Sequence, residues 1–378
     1  MQHLGNQRAT ATAEQGASRY AFVDAARAVA ALAVVGVHVW AYWLDNTHPP
    51  LASIGGLLSR VWGLGAAGVD LFIVISGFCL ALPFLRRRDA TLDTAGFWAR
   101  RAWRIGPPYY AALAACIVLA LVPATAERVV GPTADWLDVT LALFLVQTWV
   151  PTRLGAINGS YWSIALEAQL YLAFPVLLAA WRRSWKVLLG AAVVLSVVWG
   201  TALPELIYNA PFHLYQFLIG FWLAGLVVRG DTRLQRPARY AVVPLLALSA
   251  ALGSSSAPFW LTTAAWTAAA TALLLAAWSL PASTYGRRGA LGWLSGVGRC
   301  SFSVYLVHQP LLLLTAPAVQ AISTDPTLVL TVGIVAAFAL CVVVGWLFHL
   351  AVERPAMRRA ARPTQRPAVR ATPGTVPA

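Results

Sequence analysis

From residue 24 onward, long apolar runs alternate with short polar connectors in which arginine is concentrated. Ten runs approach or reach the roughly 17–25 residues that a helix needs to cross a bilayer. They fall at 24–44, 63–84, 106–124, 160–181, 186–203, 212–229, 239–254, 259–279, 300–320 and 327–351. The seventh is the weakest, being short and ending in Gly253-Ser-Ser-Ser256. Leu137–Val150 is also apolar but only 14 residues long, which suits an interfacial or re-entrant piece. The pattern predicts an all-α, polytopic integral-membrane helix bundle of about ten transmembrane helices. With the N-terminus in the cytoplasm and strict alternation, the inner side collects 25 of the 28 basic residues; Arg60, Arg128 and Arg153 stay outside. The positive-inside rule requires this asymmetry, so both termini are expected in the cytoplasm.

Composition narrows the class further. Of 378 residues, 59% are hydrophobic and 11% charged, with a mean hydropathy of +0.67. No soluble core uses that much apolar surface. A net charge of +14 would suit nucleic acid in a soluble protein. Here the charge sits between membrane runs, so no nucleic-acid partner is expected. Cys79, Cys116, Cys300 and Cys341 form no CxxC pair and read as small packing residues, not a metal site or disulfide set. Residues 1–19 read as a cytoplasmic tail without a secretory signal. Residues 356–378, rich in Arg, Pro, Ala and Thr, read as a disordered basic cytoplasmic tail, with no second folded domain expected. One membrane domain, 20–355, then holds every candidate site. A single lysine, Lys186, among so many arginines suggests a GC-rich bacterial genome, and so a bacterial cell membrane.

Within the apolar runs a few polar residues stand out. Arg27 and His38 are eleven positions apart, about 20° past three helical turns, so they share a face with roughly 16 Å between them along the axis. Asp24 falls near the same stripe. His38, Asp70 in the second run and Glu167 in the fourth each lie about six or seven residues, or roughly 10 Å, below the outer surface. Three ionisable groups at one depth suggest either a polar cavity or a hydrogen-bonded cluster that holds helices together. A carboxylate beside an imidazole is also the arrangement that orients a general base. On the inner side, Arg101 and Arg104 precede Ile105-Gly-Pro-Pro-Tyr-Tyr110, whose prolines suit a helix first turn. With Arg27 facing the same water, these guanidiniums suit phosphate groups; ordinary positive-inside charge is the plainer reading, favoured for Arg86–Arg88. Tyr305 and His308 precede Pro310 in the ninth run, where His308 reads equally as structural or catalytic. His349 and Glu353 close the tenth and could brace the inner face.

Three apparent motifs are read as decoys. Gly63-Leu-Gly-Ala-Ala-Gly68 matches GxGxxG, but no strand precedes it, and close helix packing explains it better. Asn158-Gly-Ser160 is a formal glycosylation acceptor, relevant only in a secretory pathway. Ser76 is no nucleophile elbow and reads as a packing or hydrogen-bonding serine.

Taken together, these segments resemble the membrane-bound acyltransferase 3 family from about Tyr20 to Arg358. The likeness rests on Asp24, Arg27 and His38; on Gly68-Val-Asp-Leu-Phe72 with Ser76-Gly-Phe78; and on Arg101, Arg104 and Pro107–Tyr110. It continues through Trp162, Ser163, Glu167, Gln169 and Tyr171, then Ser301, Tyr305, Leu306, His308 and Pro310, and closes on Glu353–Pro355. Each motif is weak alone; six in order are specific. One departure is Ala168, where the family often has a second consecutive glutamate.

The resemblance implies transfer of an acyl group, most simply acetyl, from acyl-CoA to a hydroxyl of a sugar, lipid-linked glycan or small natural product. It implies His38 as general base or transient acyl carrier, with Glu167 or Asp70 orienting its imidazole. Arg27, Arg101 and Arg104 would hold the coenzyme A phosphates. Trp162, Tyr171, Tyr305 and His308 would line the substrate path, while Asp24 and Glu353 would serve structure. The alternative is a transporter or exporter relaying protons through its intramembrane His, Glu and Asp, although no repeated halves are visible. A scaffold without turnover leaves the aligned ionisable residues unexplained.

Overall fold

The computed structural model describes residues 20–361, apart from 46–48, 51, 88–90, 123–124, 126–127, 130–133 and 287. The expected tail at 1–19, and residues 362–378 of that expected at 356–378, lie outside the described residues. The described residues form helices and turns, with no strand among them. Over its described residues, each of the ten apolar runs falls mostly on helix. Seven helical stretches among the described residues are long and apolar enough to cross a membrane.

Helix α1 (Ala21–Trp43) is central. It meets α2 (Ile54–Gly63), α3 (Gly68–Arg86), α10 (Gly292–Arg299) and α11 (Ser301–Ile322). The Gly63–Gly68 stretch is a packing device, as its composition suggests. A Cβ on Gly65 would lie 2.1 Å from the Ala33 carbonyl oxygen, and one on Gly68 2.5 Å from that of Ala30. Helix α3 is pressed equally close to α7 (Ala210–Arg229) on another side. There a Cβ on Gly77 would reach 1.9 Å from Phe217 O, and one on Gly220 2.2 Å from Val74 O. Small residues let backbones approach in hydrocarbon, where packing drives helix association.

Helix α4 (Thr94–Ala120) begins twelve residues earlier than the run at 106–124, because Asp93 caps it by accepting from Gly96 N at 3.1 Å. Pro107 and Pro108 therefore sit inside the helix, not in its first turn. They remove the N–H partners of the Trp103 and Arg104 carbonyls. The added amphipathic length carries Arg100, Arg101 and Arg104 on an ordered helix instead of a loop. Helix α5 (Trp136–Leu143) is the short apolar piece, closed by an Asp135/Asp138 capping box. It is held by Tyr109, which donates to Ala142 O at 2.8 Å, and Tyr110, which donates to Leu143 O at 2.8 Å.

The fourth and fifth runs join in one 41-residue helix, α6 (Trp162–Ala202), broken at Ser184 where φ is −159° and ψ 89°. Helices α8 (Gln235–Gly253) and α9 (Phe259–Trp278) pack together beside the bundle. Helix α12 (Ile334–Phe348) lies between π-helical turns at Val329–Gly333 and His349–Glu353. Residues 356–360, expected within the disordered tail, instead continue as α13 (Arg354–Ala360). Buried Ala356, the Arg104–Met357 contact (Nη1 to Sδ, 3.6 Å) and Arg359 5.6 Å over the Trp103 ring tie this segment to α4. That apolar and cation–π anchoring outweighs its polar composition.

Candidate active site

Helices α1, α3, α4, α6 and α11 enclose a cavity of about 230 Å3. Arg27, Arg101 and Arg104 line it, with Ser76, Cys79, Glu167, Tyr171, Tyr305 and Phe72. Arg27 makes an ion pair with Asp24 at 3.3 Å and reaches Cys79 Sγ at 3.4 Å. Arg101 and Arg104 have no carboxylate within ion-pair distance among the described residues. Arg101 lies over the rings of Phe97 and Tyr171, 5.7 and 5.9 Å from their centroids, and its buried Nε has no hydrogen-bond partner among the described residues. Two guanidiniums with no carboxylate in ion-pair contact, lining one cavity, favour an anion.

Glu167 is the cavity's carboxylate. Its Oε1 accepts from Tyr171 OH and from Ser76 Oγ, the latter at 3.0 Å. Ser76 also lies 3.3 Å from Tyr171 Oη. Helical spacing puts Phe72, Ser76 and Cys79 on one stripe of α3, near the Gly68 face that packs on α1.

Beyond Tyr305 lies a pair of imidazoles. His38 Nδ1 is 2.8 Å from Val34 O, one turn back on α1. A carbonyl only accepts, so Nδ1 carries the proton and Nε2 keeps the basic lone pair. His308 repeats the device on α11, with Nδ1 2.6 Å from Tyr305 O. Its Nε2 therefore accepts, and it lies 3.2 Å from His38 Nδ1. Ser160 surrounds the pair with polar contacts. Its Oγ is 3.4 Å from His308 Nε2 and donates to Gln309 Oε1 at 2.6 Å, and its carbonyl accepts from Tyr305 OH at 2.9 Å. Ser163 Oγ stands 2.7 Å from Tyr305 Oη and lines the cavity, so Tyr305 joins the cavity to the imidazoles.

A family profile described as an acyltransferase domain matches residues 20–346. The chain belongs to the acyltransferase 3 family. It is a multi-pass membrane protein and an acyl-transferring enzyme, which replaces the transporter alternative. Acyltransferase MdmB of Streptomyces mycarofaciens is 29% identical, over 87% of this chain and 89% of its own length. Peptidoglycan O-acetyltransferase OatA of Listeria monocytogenes is 24% identical over 79% of this chain; the match spans only 50% of that protein. A putative acetyltransferase of Acidianus two-tailed virus is 31% identical over 52% of each chain. No solved structure matches the chain.

Within this acyltransferase the sequence-marked residues divide into groups. Arg27, Arg101, Arg104, Glu167, Tyr171 and Tyr305 meet at the cavity. His38 and His308 meet each other. Neither carboxylate expected to orient His38 does so. Glu167 is engaged by Ser76 and Tyr171. Asp70 faces the opposite way, accepting from Gln216 Nε2 at 2.6 Å in a buried group that includes Thr267. The reason is rotational: Gly68 faces α1, and Asp70 is two residues, about 200°, further around α3. Trp162 packs on Tyr208 and His213, at centroid distances of 4.8 and 6.0 Å, and does not line the cavity.

Glu353 is a buried brace, accepting from Ser303 Oγ at 2.6 Å and lying 2.8 Å from His349 Nδ1. Asn158-Gly-Ser160 is no open acceptor, since Asn158 and Ser160 are both buried. Asn158 instead caps a 3-10 turn by accepting from Ser160 N at 2.9 Å. Ser160 and Gln309 were not marked by the sequence as site residues. The signal was present, as an Asx cap before α6 and an amide directly after His308.

Proposed function

We propose that the protein transfers an acyl group, acetyl in the simplest case, from acyl-coenzyme A to a hydroxyl of a sugar, lipid-linked glycan or small natural product. The observation that carries this reading is the cavity itself, whose guanidiniums Arg101 and Arg104 have no carboxylate in ion-pair contact among the described residues and which reaches Tyr305 beside the imidazole pair. The three arginines bind the coenzyme A phosphates from the cytoplasmic side, in a bacterial cell membrane with both termini inside. The pantetheine arm follows the roughly 16 Å from Arg27 to His38 along α1.

His38 Nε2 removes the proton from the acceptor hydroxyl. The hydroxyl oxygen attacks the thioester carbonyl, the C–S bond breaks, and the departing thiolate recovers the proton from His38. His308 Nε2 shares the single His38 Nδ1–H with Val34 O, an interaction that strengthens as His38 becomes positive. An imidazole thus takes the orienting place expected of a carboxylate. Glu167, held by Ser76 and Tyr171, sets the charge balance of the arginine cavity.

Purified protein in detergent, supplied with radiolabelled acetyl-CoA, tests the donor. Label should move to a hydroxylated acceptor or to water, and His38→Ala should stop it. Comparison of metabolites and cell-envelope glycans with and without the gene should reveal one lost acyl increment and so identify the acceptor. Full transfer by His38→Ala overturns the mechanism.

A further inference from the structure

A second opening lies at the break in α6, away from the arginine cavity. It is a cleft of about 490 Å3 between the ends of α3 and α7 and the turn around Ser184. Trp181, Trp185 and Trp222 line it, together with Arg182, Arg229 and Gly225, and among the described residues no acidic side chain joins them. The break keeps Trp181 and Trp185 side by side, their centroids 5.8 Å apart. Gly225 has no side chain to keep the Arg229 guanidinium off its own helix. A Cβ there would lie 3.2 Å from Arg229 Nη1, so this exposed arginine folds back into the cleft. Lys186 Nζ adds charge 5.8 Å from the Trp185 ring.

The two openings are separated by a wall of rings. Phe97, under Arg101 on the cavity side, stacks on Phe174 at 4.7 Å. Phe174 in turn meets Phe84 and Phe221 at 5.7 and 5.6 Å, and Phe221 meets Trp181 at 5.4 Å. A ligand in the cleft therefore contacts different groups from one in the cavity.

We propose that this cleft binds an anionic phospholipid, its headgroup phosphate on Arg229 and the glycerol end of its chains against the indoles. Indoles settle where hydrocarbon meets water, and guanidiniums match phosphate oxygens. Basic pockets between membrane helices on the cytoplasmic side select acidic headgroups. A soluble anion would use the arginine but gain little from three indoles, whereas a lipid uses both.

The test is native mass spectrometry of the full-length protein, released from nanodiscs of phosphatidylcholine containing graded phosphatidylglycerol. Wild type should retain one phosphatidylglycerol in preference to phosphatidylcholine. Arg229→Gln, a change at an exposed position, should reduce that retention at least about fivefold, the value of one basic residue beside anionic headgroups. Gly225→Leu, which fills the cleft, should do the same. Arg236→Gln removes an equal charge from an exposed position outside the cleft and should leave retention unchanged. Equal retention by Arg229→Gln, Gly225→Leu and Arg236→Gln overturns the proposal. Thermal stabilisation by glycerol 3-phosphate alone, equal to that by the lipid, also overturns it and marks a site for soluble anions. Acetyl transfer is read in parallel, so loss of the cavity mechanism and loss of the lipid site are separate results.

Discussion

His308 Nε2 stands 3.2 Å from His38 Nδ1, joining α11 to α1 through two imidazoles whose Nδ1 atoms each also meet a backbone carbonyl. Each carbonyl fixes a proton on Nδ1, so the pair is directional: the single His38 Nδ1–H is shared between Val34 O and His308 Nε2, and His308 accepts. His38 Nε2 takes no hydrogen bond among the described residues, which leaves it open for the proposed role of base.

Removing the base and removing its support should therefore differ in size. His38→Ala should lower kcat by about 10²–10⁴-fold, the usual contribution of general base catalysis. His308→Leu should lower kcat by roughly tenfold or more, the value of one hydrogen bond to a charged group, with KM for acetyl-CoA unchanged. His308→Gln, which keeps an acceptor oxygen, should recover part of that loss. Steady-state transfer from radiolabelled acetyl-CoA measures all three. Wild-type kcat in His308→Leu would reduce the pair to a packing contact.

The arginine cavity should act on donor binding instead. Arg101→Gln or Arg104→Gln should raise KM for acetyl-CoA by roughly 10–100-fold, as expected for a lost charge-assisted hydrogen bond, with little change in kcat. The loss should vanish for a short thioester of pantetheine, which carries no phosphate. An equal loss for both donors would place these arginines in the fold and not at the phosphates.

The helical runs were legible in the sequence, but the relative depth and facing of their polar residues were not: Ser76, six residues or about 9 Å past Asp70 on α3, is the residue level with Glu167. His38, Asp70 and Glu167 were aligned by their distance from the outer ends of their runs, and depth says nothing about rotation about a helix axis. The glycines of 63–68 could have supplied the rotation. Once Gly68 is placed against α1, Asp70 must point elsewhere and Phe72 and Ser76 must turn toward the cavity. The arginines were legible because position at a helix end is one-dimensional. The pairing of His38 with His308, 270 residues apart, needed the relative rotation and shift of two helices, which no local pattern encodes. The start of α4 was misplaced for a different reason. Pro107-Pro108 is a strong helix-start signal, yet the Asp93 cap and the apolar face of 94–105 outweigh it.

Glu353 should prove structural. It is buried and takes hydrogen bonds from Ser303 and His349, tying α11 to the closing π turn. Glu353→Ala leaves the buried Ser303 hydroxyl without an acceptor, at a cost of about 1–3 kcal/mol, and half-buried His349 without its partner. Glu353→Gln keeps one acceptor oxygen and should be milder. Thermal unfolding in detergent should fall in that order, while kcat of the folded fraction stays near wild type. A large fall in kcat without a fall in stability would move Glu353 into the reaction.

Two glycine substitutions should have opposite signs. At Gly77 a Cβ would reach 1.9 Å from Phe217 O, so Gly77→Ala must push α3 and α7 apart. Overpacking of this kind costs about 1–3 kcal/mol or more. The displacement also moves Ser76, which donates to Glu167 in the cavity, so transfer should weaken together with stability. Gly190 lies in the second half of α6, and a Cβ there would meet nothing within 4 Å, so Gly190→Ala encounters no obstacle. It removes backbone freedom from the unfolded chain and should stabilise by about 0.5–1 kcal/mol with activity unchanged. Denaturation of the two variants in the same detergent measures both. If both stabilise, helix propensity outweighs close packing in this bundle, and the Gly77–Gly220 contact does not hold α3 against α7.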